Sequence, residues 1–237
     1  MMKKVLWSVL LLAASLQAEE IYTTFTVEAK QHADLAFTSS GTVQRVDVDV
    51  ASVVKKDEVL AALNSDDLRA ALQIAKVALV YAKRDLERQQ RVKKLVDEAR
   101  FDQYRFKYEN ANAQVAYQQA LLDKTLLKAP FDGVIYEKMV EVGDVVSGAM
   151  IRTVMKIQSL KARKLILNID QKYWKQIEPG LTFRYKVDGD DTEYTGEITK
   201  VYPYANSANR KIRAEVEAQD FTPGLFGEGY IITPDSK

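Results

Sequence analysis

From the residue after Gly41 to the residue before Gly133 the chain contains no glycine, and the first proline is Pro130. Such a stretch lacks the residues that usually break a helix. Within it Leu68, Leu72, Ala75, Leu79, Ala82 and Leu86 recur at spacings of three and four, the seam of an amphipathic helix. A second seam runs through Tyr104, Tyr108, Ala111, Val115, Gln118 and Leu122. Periodicity alone permits one very long helix, and the flanks decide between that and two.

On the far side, "LLKAPFDGVIYEKMVEVGDVVSGAMI" (126–151) reads as short strands divided by Asp-Gly, Gly-Asp and Gly turns. On the near side, "GTVQRVDVDVASVVKKDEVLAALNSDD" (41–67) follows the same plan of glycine, alternating valine, turn, Val-x-Lys-Lys, turn and leucine. Each half is too small to bury its own apolar face, so the two should pack together, and the chain must return. The insert is therefore expected to be an antiparallel helical hairpin over 65–126. Its turn is expected near Val96 to Arg100, with arms of about thirty residues, roughly 45 Å each.

The first eighteen residues are of a different kind. Lys3 and Lys4 precede an apolar run from Val5 to Ala18, followed by Glu19 and Glu20. The run is short for a bilayer span and reads as a secretory signal peptide, 1–18, cleaved after Ala18. There is no cysteine, hence no disulfide, no thiol chemistry and no lipid-attachment residue. The 34 basic and 33 acidic residues nearly cancel, which gives no footprint for nucleic acid.

A β-domain split by a helical hairpin, with its second half announced by "KAPFDGVI" and "VEVGDVVSG", resembles the periplasmic adaptor or membrane fusion protein (HlyD-like) family of tripartite efflux systems. The resemblance implies the resistance-nodulation-division type. In the first half, Ala51-Ser52 and Asp57 stand where that family has Gly-Asp and Gly, so these turns are expected to be made differently. The fold class implied is α+β and multidomain. It comprises a split lipoyl-like domain (36–64 and 127–154), the inserted coiled-coil hairpin, and a small antiparallel β-barrel (19–35 and 155–237). The alternating strands of 173–232, with Phe183, Tyr185 and Val187 on one side and Ile212, Ala214, Val216 and Ala218 on another, suit that barrel. Residues 234–237 are too few for the membrane-proximal domain many such adaptors carry, so a minimal adaptor is implied.

Chemistry is sparse. A lipoyl carrier needs a lysine on an exposed hairpin between the halves, and "LNSDDLRAAL" (63–72) offers none, so no cofactor is expected. His32 is the sole histidine and reads as a surface residue. Asp188, Asp190 and Asp191 lack calcium-loop spacing and read as a hydrophilic turn. Phosphate-binding glycine loops and a serine nucleophile elbow are absent, so no enzyme is expected and the chain should work by contact.

The resemblance implies an inner-membrane transporter and a TolC-type outer-membrane channel as partners, a periplasmic location held through the transporter, and self-association as a ring of six. It also implies a hairpin-tip signature of Arg, Leu four later and Ser seven beyond. Arg91 and Leu95 fit that spacing while Asp102 occupies the Ser position, which with Arg88 makes four channel-contact candidates. The alternative is a secreted adaptor-like protein binding solute or metal outside any pump.

Overall fold

The computed structural model describes residues 19–91 and 97–234. The proposed signal peptide, Leu95 and the Val96 end of the expected turn lie outside the described residues. Two compact units are formed, one by the residues up to Lys30 with Lys161 onward, the other by Gln31–Leu160.

The second unit explains why neither repeat can stand alone. The first repeat supplies β2 (His32–Leu35), β3 (Gly41–Val46), β4 (Val53–Val54) and β5 (Val59–Leu63); the second supplies β6 (Leu126–Lys128), β7 (Gly133–Lys138), β8 (Val145–Val146) and β9 (Met155–Ser159). They form two four-stranded sheets, β2-β9-β7-β4 and β6-β5-β3-β8, each taking two strands from each repeat. The short strand β4 pairs with β7 of the other repeat, and β8 returns the exchange by pairing with β3. Leu60, Leu63, Ile135, Met155 and Ile157 are fully buried between the sheets, an apolar burial worth about 1.5–3 kcal/mol per large side chain.

The internal symmetry reaches single hydrogen bonds. In the turn after β3 the Asp49 amide donates to Ser52 Oγ at 2.9 Å, and in the turn after β7 the Glu141 amide donates to Asp144 Oδ2 at 2.9 Å. Ala51 and Gly143 hold equivalent places in these turns, with φ of 69° and 97°. This corrects the expectation that the first-half turns are made differently. Ala51, and Asp57 with φ 65°, adopt the left-handed backbone that glycine would adopt freely. The surrounding ladder holds Ala51 there, its amide donating to Ile135 O at 2.8 Å.

Between β5 and β6 run α1 (Asp66–Arg91) and α2 (Glu98–Asp123), each of 26 residues and so about 39 Å long. Arg100 is already helical, so the connection lies earlier than the sequence suggests. Leu72, Ala75 and Leu86 are buried on α1, with Leu68, Leu79 and Ala82 half-buried, and all six residues of the α2 seam are half-buried. These two seams are where the helices pack on each other.

The other unit is a closed six-stranded antiparallel barrel. In chain order its strands are β1 (Glu19–Ala29), β10 (Ala162–Asp170), β11 (Thr182–Val187), β12 (Tyr194–Asn206), β13 (Lys211–Gln219) and β14 (Phe226–Thr233), arranged β1-β10-β13-β12-β11-β14. Closure removes the sheet edges. Phe25, Phe183 and Tyr185 fill the interior, with ring centroids 5.2–5.7 Å apart. Gly227 and Gly229 make room for them, because a Cβ at either would lie 2.3 Å from a backbone oxygen of β11.

The boundary between units differs from the sequence reading of 19–35 and 155–237. Strands β2 and β9 pair with each other, and β9 also pairs with β7, so 31–35 and 155–160 belong to the sandwich. Alternation shows that a strand exists but not which sheet recruits it.

Candidate functional site

Three surfaces concentrate the chemistry, beginning with the hairpin tip. Asp66 and Asp67 in the first turn of α1 and Arg88 and Arg91 in its last turn complement the helix dipole. Arg88 pairs with Asp85 one turn back, and Asp102 pairs with Arg105 at 3.1 Å. Arg91, the last residue of α1, makes no ion pair among the described residues. Exposed pairs of this kind contribute less than about 1 kcal/mol, so Arg88 and Asp102 can exchange partners at little cost.

The sequence reading missed a second surface. Ile74, Val77 and Tyr81 are 72%, 47% and 61% exposed on α1, and Phe106 and Tyr117 are 67% and 58% exposed on α2. At 3.6 residues per turn these stripes lie roughly 150° around each helix from its seam. Both stand at the same level along the hairpin, since Asp66 and Asp123 close one end and Arg91 and Glu98 the other. The i, i+3, i+7 spacing of Ile74, Val77 and Tyr81 was legible, but the stronger seam beside it drew the reading.

The third surface is the pair of symmetric turns. Lys138 Nζ lies 2.7 Å from Glu141 and 3.6 Å from Asp49, joining the two turns. The Glu141 hydrogen bond, with the Asp49 charge, raises the Lys138 ammonium above its ordinary range. The Val50 amide, and then Lys138, hold the Asp49 carboxyl below the usual range. Around this ionic centre Val50, Val53, Val142 and Val145 are more than half exposed.

The remaining candidates have structural partners or simple surroundings. His32 is exposed on β2 opposite Gln158. Asp190 accepts from the Thr192 amide at 2.9 Å and from the Tyr194 hydroxyl at 2.8 Å, which makes it the organiser of the β11–β12 turn. Where a carrier domain would present its lysine, Asn64 Oδ1 accepts from the Asp66 amide at 3.2 Å and leads into α1. Among the described residues no group of three or more His, Cys, Asp or Glu could hold a metal ion.

The chain thus folds as a β-sandwich of two interleaved repeats, split by a helical hairpin, and a six-stranded barrel. The sequence model of the CzcB-like, barrel-sandwich hybrid domain matches residues 31–156, more than half of the chain, and the protein belongs to that family. The chain is 26% identical over 222 residues to an uncharacterized protein of Haemophilus influenzae, covering 90% of this chain but 58% of that one. Among solved structures it resembles a MacA–MexA chimera carrying the Pseudomonas aeruginosa MexA α-hairpin domain, with TM-score 0.85, 19% identity, and coverage of 92% of this chain and 83% of the other. It also resembles the membrane fusion protein Spr0693 of Streptococcus pneumoniae R6, with TM-score 0.73, 16% identity, and coverage of 91% and 100%. At these identities the likeness is one of fold.

Proposed function

We propose that this protein is the periplasmic adaptor subunit of a tripartite efflux system. It bridges an inner-membrane transporter, of the resistance-nodulation-division type, and an outer-membrane channel of the TolC type. It acts by contact, with no catalytic step. The hairpin tip, through Arg88, Arg91, Leu95 and Asp102, meets the channel.

The observation that carries this reading is the pair of exposed apolar stripes at one level of the hairpin. A partner meeting only the tip would leave them in water. A neighbouring copy standing alongside brings the α1 stripe, Ile74, Val77 and Tyr81, against the α2 stripe, Phe106 and Tyr117. Such a head-to-tail contact forms a ring where its rotation divides a full turn, and six copies around the conduit is the number the family resemblance suggests.

The absence of native cysteine makes the test clean. Tyr81→Cys/Phe106→Cys, expressed with its transporter and channel and oxidised in the periplasm, should give a ladder of cross-linked multimers, whereas Leu72→Cys, buried in the seam, should not. Monomer alone in the intact system would overturn the side-by-side arrangement. Failure of the adaptor to co-purify with any transporter or channel would overturn the bridging role and favour a binding protein acting outside a pump.

A further inference from the structure

The barrel has two unlike rims. At one, β1 ends and β10 begins; at the other, β1 begins at Glu19, and Glu19, Asp170, Thr182, Lys211 and Thr233 come together through the registers of the strands. This second rim carries the 171–181 connection, which is tightly held. Gln171 donates its amide to Arg210 O at 3.0 Å, the Asp170 carboxylate accepts from the Lys172 amide at 3.0 Å, and Ile177 is buried in the barrel core. On that rigid base Trp174 is 64% exposed, a costly place for the largest apolar side chain unless something other than water covers it.

The surroundings of Trp174 say what covers it. Lys175 Nζ lies 5.4 Å from the Trp174 ring and Lys172 Nζ 4.7 Å from the Tyr173 ring, so two ammonium groups flank two aromatic rings. Arg210 joins Lys172 and Trp174 in lining an open groove of about 580 Å³. Of the acids at this rim, Glu20 is paired with Arg184 at 2.7 Å, Glu19 accepts from Gln176 at 3.2 Å, and Asp170 caps the turn. Lys172, Lys175, Arg210 and Lys211 make no ion pair among the described residues, and against these four cations stand three acids, Glu178 with Asp170 and Glu19, the last two acting on Lys172 through their charges.

Tryptophan and tyrosine flanked by lysine are the residues that settle at a bilayer interface, the rings at the headgroup level and the ammonium groups toward anionic phosphate. A hydrogen bond joins Glu19 to the same loop through Gln176. Among the described residues no helix is long and apolar enough to cross a membrane.

We infer that the Lys172–Lys175 loop, with Arg210 and Lys211, seats this rim of the barrel on an anionic phospholipid surface, a direct membrane contact in addition to any transporter contact. The chain has two tryptophans, Trp7 and Trp174, so protein cleaved after Ala18 reports Trp174 alone. It would be mixed with phosphatidylglycerol/phosphatidylethanolamine vesicles whose acyl chains are brominated near the headgroup. Trp174 emission should shift to shorter wavelength and be quenched. In Lys172→Gln/Lys175→Gln the docked state should fall roughly thirtyfold relative to the lifted state, and the quenching should be lost, at about 1 kcal/mol per lysine near such a surface. Protein that binds vesicles with Trp174 unshifted and unquenched would show that another face makes the contact and would overturn the inference. So would failure to bind vesicles, or quenching that appears only when purified transporter is present in the bilayer. None of these outcomes bears on the hairpin reading, whose test is cross-linking between copies.

Discussion

The two repeats place Gly41 and Gly133 at equivalent positions, yet the structure gives them opposite tolerance for a methyl group. A Cβ on Gly41 would meet nothing closer than Leu63 Cβ and Cδ1 at 3.5 Å, ordinary van der Waals contact. A Cβ on Gly133 would lie 2.4 Å from Gln158 O and 3.0 Å from Ile157 Cγ1. Gln158 is in β9, which is hydrogen-bonded to β7 on one side and β2 on the other, so its backbone cannot retreat without loosening a ladder. Overpacking of this kind costs about 1–3 kcal/mol, and one weakened ladder bond adds about 1 kcal/mol. Replacing glycine by alanine in a strand returns about 0.5–1 kcal/mol. Gly133→Ala should therefore lose about 1–3.5 kcal/mol, while Gly41→Ala stays level or gains up to about 1 kcal/mol. At a urea slope of about 2 kcal/mol/M the two midpoints would separate by about 0.5–2 M. Circular dichroism at 222 nm follows the unit that contains both glycines, because α1 and α2 hold all the α-helix among the described residues. Coincident midpoints for the two variants would refute the reasoning, since β9 would then have yielded without cost.

Three further outcomes are expected. Ala51→Gly should raise the stability read by the same titration by up to about 1.5 kcal/mol, the relief of a left-handed alanine less the entropy glycine adds to the unfolded chain, and a drop would mean that the 69° φ carries no strain. Arg91→Asp should lower channel co-purification and efflux at unchanged periplasmic abundance and unchanged thermal midpoint, since an exposed terminal charge contributes little to folding; wild-type efflux would assign Arg91 to solvent. On the barrel, the Tyr202 hydroxyl donates to Glu215 at 2.6 Å and its pKa is pushed from 10.0 to about 12, by that bond and then by burial. A raised folded-state value stabilises fully below the unfolded value, so stability should fall as pH rises from about 10 to 12, and Tyr202→Phe should flatten that slope in alkaline unfolding curves.

Much of this architecture was legible because it is written in short-range patterns. The seams of α1 and α2 emerge from three-and-four spacing between Leu68 and Leu86 and between Tyr104 and Leu122, and the same residues are the buried or half-buried ones in the hairpin. The inward side chains of β11 and β13 follow from alternation alone, as Phe183, Tyr185 and Val187 and then Ile212, Ala214 and Val216 show. The tip candidates were legible only as positions, because neither the Arg88–Asp85 nor the Asp102–Arg105 pair changes the composition of the tip.

By itself the sequence determined that a helical insert divides two like β-repeats and that a run of alternating strands follows, since each of these depends on residues within a few turns or strand steps of one another. Only the tertiary structure decided that β4 and β8 exchange partners across the repeats, that β2 joins the sandwich while β1 closes the barrel, and that Ala51 takes a glycine backbone. It also decided which apolar residues were left exposed, among them Ile74, Val77 and Tyr81 on α1 and Trp174 at the barrel rim. Local patterning shows that a residue prefers to be covered. Whether it is covered depends on pairings between segments scores of residues apart, whose ladder bonds and close contacts are settled only when the whole chain packs.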